Sequence, residues 1–153
     1  MSRSQGTPTG PPHRALLVGA LGHTAVATCL ALVRYSLPQA FDDSVGLAVL
    51  VACVLMGLLL SMTALVVARG AAAAPPGRAL IVSVAMCLGG SLASSAVVLL
   101  LLRFGLDGLF NPHIPIAELL TLLLLAVGSA AFLAGDYLAG RAAFRALAGR
   151  TGG

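Results

Sequence analysis

The sequence predicts an all-α integral membrane protein: a four-helix bundle made of two transmembrane hairpins, with both termini cytoplasmic. Three observations carry that expectation. Of the 153 residues, 59% are hydrophobic and 9% charged, far from the composition of soluble domains. The apolar residues gather into four stretches near the roughly 20-residue length that a bilayer core requires. Short connectors rich in Pro, Gly and Arg separate these stretches, and the connector Arg69-Gly-Ala-Ala-Ala-Ala-Pro-Pro-Gly-Arg78 divides the first pair from the second. Pro75 and Pro76 offer no backbone donor and fix their own φ, so this connector reads as the hinge between two hairpins.

Residues 1–13 are polar, rich in Pro and Gly and without apolar periodicity, and read as a disordered cytoplasmic tail. The membrane domain is expected over 14–140. Its first span, about 15–33, is bracketed by Arg14 and Arg34. The apolar run exceeds the core of about 7–15 residues expected of a signal peptide, and no small-x-small cleavage site directly follows it. The second span is expected at about 45–68, after a connector whose Tyr35 and Phe41 suit the membrane–water interface. The third runs over about 79–102 and the fourth over about 116–138, divided by a turn region containing Gly105, Gly108, Pro112 and Pro115. Residues 141–153 read as a basic cytoplasmic tail carrying Arg141, Arg145 and Arg150.

Orientation follows from the arginines, which are all nine of the basic residues. Arg3, Arg14, Arg69, Arg78, Arg141, Arg145 and Arg150 fall in the two tails and the central connector, while the other two loops hold Arg34 and Arg103. The positive-inside rule therefore places both ends in the cytoplasm. Basic residues scattered singly at segment ends do not form a nucleic-acid patch, which requires clustering on one surface. The expected location is a membrane, plasma membrane or endomembrane in a eukaryote.

Small residues recur at helical offsets in the middle spans. Gly46, Cys53, Gly57 and Ser61 form a stripe on the second span, and Ser83, Cys87, Gly90, Ser91 and Ser94 form one on the third. Such stripes let helix backbones approach closely where lipid supplies no hydrophobic drive, either within the bundle or between copies. Cys29, Cys53 and Cys87 lie inside apolar spans without metal-ligand spacing, and read as packing residues. No phosphate loop, zinc-protease signature or nucleophile elbow occurs, so neither an enzyme nor a cofactor or metal site is expected.

His23 is the ionisable residue expected near mid-bilayer, and such a residue is a functional candidate by default. No acid is expected at its depth. Glu118 and Asp136 lie eighteen residues apart on the fourth span. At about 1.5 Å per residue, roughly 27 Å then separates them, so they belong at opposite membrane surfaces. Asp136 is expected to pair with Arg141 or another cytoplasmic arginine, and Glu118 with Arg103 or Arg34. His23 is accordingly expected to make a structural hydrogen bond to a facing helix, with a proton relay as the alternative.

Leu21-Gly22-His23 with Val33-Arg34-Tyr35, Ala68-Arg69 with Pro75-Pro76-Gly77-Arg78, and Phe110-Asn-Pro-His-Ile114 stand in order along the chain. Together these three stretches resemble a vertebrate family of four-span membrane proteins that includes keratinocyte-associated protein 3. The family's outer loop before the last span is longer and carries cysteines, whereas the corresponding loop here is short and has none. The resemblance implies an integral four-span protein without an enzymatic activity. Two functions stay open. One is lateral association with other membrane proteins or a second copy, as an organiser, accessory subunit or trafficking partner. The other is a small dimeric transporter or channel with a polar path near His23 and the serine face of the third span. A continuous polar path would favour transport, and Val97-Val-Leu-Leu-Leu-Leu102 offers none from that helix.

Overall fold

The computed structural model describes residues 13–36, 76–104 and 115–149. These residues form three helices and no strand: α1 His13–Ser36, α2 Pro76–Arg103 and α3 Pro115–Ala148. Each contains a stretch long and apolar enough to cross a membrane, at His13–Val33, Gly77–Leu101 and Glu118–Ala148. The expected second span, with Gly46, Cys53, Gly57 and Ser61, lies outside the described residues, as does most of the central connector.

Local chemistry explains where the helices begin and end. Pro76 and Pro115 are each the first helical residue, where a missing N–H costs nothing and φ is already helical. Arg103 in the last turn of α2, Glu118 in the first turn of α3 and Arg145 in its last turn each complement the helix dipole. The adjacent Gly89 and Gly90 would each weaken a helix in water by about 1 kcal/mol. In lipid, an unpaired backbone group costs more than that, so α2 continues through them.

The helix that holds the expected fourth span continues beyond 138: α3 runs 34 residues to Ala148, so much of the segment expected as a basic tail is helical. The sequence after Leu138 is rich in Ala, Arg and Leu, all strong helix formers, and Ala143, Phe144 and Leu147 pack partly buried against the core. Arg141 and Arg145 lie within this continuing helix, Arg145 exposed and Arg141 half-buried with its Nε buried. At about 1.5 Å per residue α3 is roughly 51 Å long, beyond the hydrocarbon thickness of about 30 Å.

The buried core consists of Ala15, Leu16 and Ala20 from α1 with Val82 and Met86 from α2. It lies in the α1 N-terminal half of the assembly. Leu88, Leu92, Leu99 and Leu119 are well exposed, as are Leu100 and Leu123, and together they give the bundle an apolar outer surface.

Candidate functional site

α3 is the helix that both others contact, and its glycines set one of the two interfaces. A Cβ placed on Gly135 would lie 2.7 Å from the Gly89 carbonyl oxygen and 2.5 Å from the Ala93 Cβ. One placed on Gly89 would lie 3.0 Å from the Gly135 oxygen and 2.3 Å from the Ala139 Cβ. The backbones of α2 and α3 therefore touch, as small residues permit between membrane helices. Gly140 admits Met86 and Leu16 on one side of this crossing, and on the other Gly128 faces Ser94 and Val98. The paired positions run in opposite directions along the two helices, so α2 and α3 are antiparallel.

α1 meets α3 through polar side chains instead. His13 Nδ1 and the Tyr137 hydroxyl are 2.7 Å apart at the start of α1. Further along, Thr28 Oγ1 and Ser129 Oγ hydrogen-bond at 2.8 Å. Between them, His23 Nδ1 lies 3.0 Å from Asp136 Oδ2. His23 is 4% exposed and Asp136 is fully buried, so this is an ionisable pair sealed inside the bundle. Thr24 turns its hydroxyl onto the Ala20 carbonyl at 2.8 Å, which satisfies it within its own helix.

The pair corrects two expectations. Asp136 does not bind Arg141; its carboxylate meets His23, and among the described residues Arg141 Nε is a buried atom without a hydrogen-bond partner. An acid does stand at the depth of His23. With α3 running to Ala148, Asp136 lies twelve residues before the helix end, and His23 lies ten residues after the start of α1. At about 1.5 Å per residue these are axial depths of roughly 18 and 15 Å. Glu118 is exposed and makes no ion pair among the described residues.

Chemically, the pair holds one proton between a nitrogen and an oxygen. Either the imidazole N–H donates to a carboxylate, or a protonated carboxyl donates to the bare nitrogen. Its remaining capacity is open: His23 Nε2 and Asp136 Oδ1 are buried without a partner among the described residues. A half-open cavity of about 320 Å³ lies toward the α1 C-terminal side; its mainly apolar lining includes Phe132 together with Thr24, Thr28, Ser94, Thr121 and Ser129, but neither His23 nor Asp136. No group of three or more His, Cys, Asp or Glu among the described residues could hold a metal ion.

The third-span stripe is divided among different surroundings. Ser83 and Gly90 are buried, Cys87 and Ser94 are half-buried, and Ser91 is exposed. Cys29 is exposed on α1. A Cβ on Gly90 would meet the Phe132 ring at 3.1 Å. Ser83 Oγ, fully buried, has no partner among the described residues. Sequence reasoning missed Gly89, Gly128 and Gly135, and it gave Asp136 a different partner. Gly128 and Gly135 stand seven apart, the same offset that marks the other stripes, so that signal was present. No protein-family model, curated protein or solved structure matches the chain.

Proposed function

We propose that the chain is a non-enzymatic four-span membrane protein, with both termini cytoplasmic, that acts by lateral association with other membrane proteins or with a second copy. The observation that carries this reading is the division between inside and outside. The buried polar side chains and the close glycine contacts face other helices of the same chain, while leucine, isoleucine and valine dominate the exposed faces of α1 and α2. Such a surface offers lipid and neighbouring helices a shape to pack against. The resemblance to the four-span family that includes keratinocyte-associated protein 3 supports the same reading. Photo-crosslinking side chains placed at Leu92, Leu99 and Leu122 in native membranes test it. Discrete protein adducts at one face are expected, and adducts with lipid alone at all three positions would reject it.

A second reading is transport through the bundle, and the buried His23–Asp136 pair favours it. Ionisable side chains facing a bundle interior often mark ion or proton paths.

A further inference from the structure

α1, like α2, runs antiparallel to α3. Thr28 meets Ser129 and His23 meets Asp136, so numbers fall along α1 as they rise along α3. The starts of α1 and α2 and the end of α3 therefore share one end of the bundle, and arginines scattered singly in the sequence gather there. Arg14 directly precedes the core residues Ala15 and Leu16, and Arg78 stands one turn before Val82 of the same core. Arg141 follows Gly140, which faces Met86 and Leu16, and it lies one turn beyond Tyr137, whose hydroxyl meets His13 beside Arg14. Arg145 is one turn further along α3. At about 1.5 Å per residue, all four lie within roughly 12 Å of the level at which Leu16, Met86 and Gly140 meet, toward the helix ends.

No acid answers this charge among the described residues. The first turns of α1 and α2 contain none, Glu118 stands at the opposite end on α3, and Asp136 is sealed against His23. None of the four arginines makes an ion pair among the described residues. Their placement also runs against local electrostatics, since Arg14 and Arg78 put cations in first turns, where the helix dipole favours anions. Arg141 and Arg145 are like charges four apart on one helix face, which repel. Arg141 Nε is buried without a hydrogen-bond partner among the described residues, and an unpaired buried donor is costly.

A single phosphate relieves each of these. It accepts paired N–H donors from guanidinium groups, and the free backbone N–H groups at helix starts favour it too. The surroundings say where such a phosphate comes from: Leu17 and Val18 on α1 and Leu80 and Ile81 on α2, just past Arg14 and Arg78, are exposed and apolar. Acyl chains fit there. We propose that this end of the bundle binds an anionic membrane lipid, with Arg14, Arg78, Arg141 and Arg145 holding its phosphate and its chains lying along the exposed leucine, isoleucine and valine of α1 and α2. Basic residues between membrane helices hold anionic headgroups in this way. The inference goes beyond lateral association and does not depend on it, because the site faces lipid with or without a protein partner.

The test follows thermal unfolding of the full chain in detergent during titration with phosphatidylglycerol, phosphatidylcholine or inorganic phosphate. Phosphatidylglycerol should raise the melting temperature saturably, at concentrations at least about tenfold below those needed of the other two. An equal response to phosphatidylcholine would overturn recognition of an anionic lipid, and an equal response to inorganic phosphate would reject lipid as the ligand. Arg141→Gln with Arg145→Gln should raise the phosphatidylglycerol requirement at least about tenfold, while Arg103→Gln at the opposite end should leave it unchanged. Should that α3 pair not fold, Arg14→Gln with Arg78→Gln gives the second measure. Removing cations from first turns should keep the lipid-free melting temperature at or above that of the unaltered chain, yet weaken the lipid response. A lipid response that survives both pairs, or that falls equally in Arg103→Gln, would overturn the site.

Discussion

α2 and α1 lean on the same helix by opposite means. α2 meets α3 through shape: Gly89 and Gly135 bring the backbones into contact, and Ala93 and Ala139 fill the space beside them. α1 meets α3 through hydrogen bonds at His13–Tyr137, His23–Asp136 and Thr28–Ser129. A glycine contact has no alternative state, because any added side chain forces the backbones apart. A hydrogen-bonded pair of titratable groups has several states that differ by a proton. The difference assigns the fixed part of the bundle to α2–α3 and the adjustable part to α1–α3.

The largest expected effect is at the fixed interface. Gly135→Leu or Gly89→Leu should cost at least about 3 kcal/mol, the upper part of the overpacking range, because the atoms met are backbone. Gly90→Leu should cost less, since its neighbour is the Phe132 ring, which can rotate or shift. Gly77→Ala should cost little, with no atom within 4 Å of the added methyl. Thermal unfolding in detergent measures the series, with Leu100→Phe and Leu123→Phe as exposed controls. If Gly135→Leu melts with those controls, the helices do not cross where the glycines indicate.

The adjustable interface should respond by about 1–3 kcal/mol when one member of the buried pair loses its partner, as in His23→Leu or Asp136→Leu. Replacing both should recover part of that loss, because no orphaned ionisable group then remains. His23→Gln should be tolerated better than His23→Leu, since it keeps a donor for Asp136. The double-mutant cycle decides the matter: additive losses would mean that the two side chains are not coupled.

How far this arrangement could be read in advance differs between the same two interfaces. The spans expected at 15–33 and 79–102 became α1 His13–Ser36 and α2 Pro76–Arg103, because arginines and prolines mark those ends in the sequence itself. The small stripe on α2 was legible from its spacing, although Ser91 turned out exposed while the unremarked Gly89 makes the closest approach. The end of α3 was not legible, because Arg141 looks like a boundary until Phe144 and Leu147 are seen to pack against the core. Reading Asp136 as lying near the helix end concealed its partner, His23. The His23–Asp136 contact joins residues 113 apart, so it depends on how α1 lies against α3, which local periodicity does not encode.

The smallest effect separates the hydroxyl contact from the ionisable one within the adjustable interface. Thr28→Val keeps the shape of the side chain and removes its bond to Ser129, and Ser129→Ala removes the same bond from the other side. Each should cost about 0.6 kcal/mol, the average for interhelical hydrogen bonds in membranes. The cost is low because a hydroxyl left alone can turn to its own helix, as Thr24 already does toward Ala20. Neither His23 nor Asp136 reaches a backbone carbonyl in that way, so their replacement should hurt more. The same detergent melts provide the measurement. Should Thr28→Val destabilise the protein as much as His23→Leu, the buried pair would not be what holds α1 to α3, and the division between fixed and adjustable interfaces would have to be redrawn around the hydroxyls.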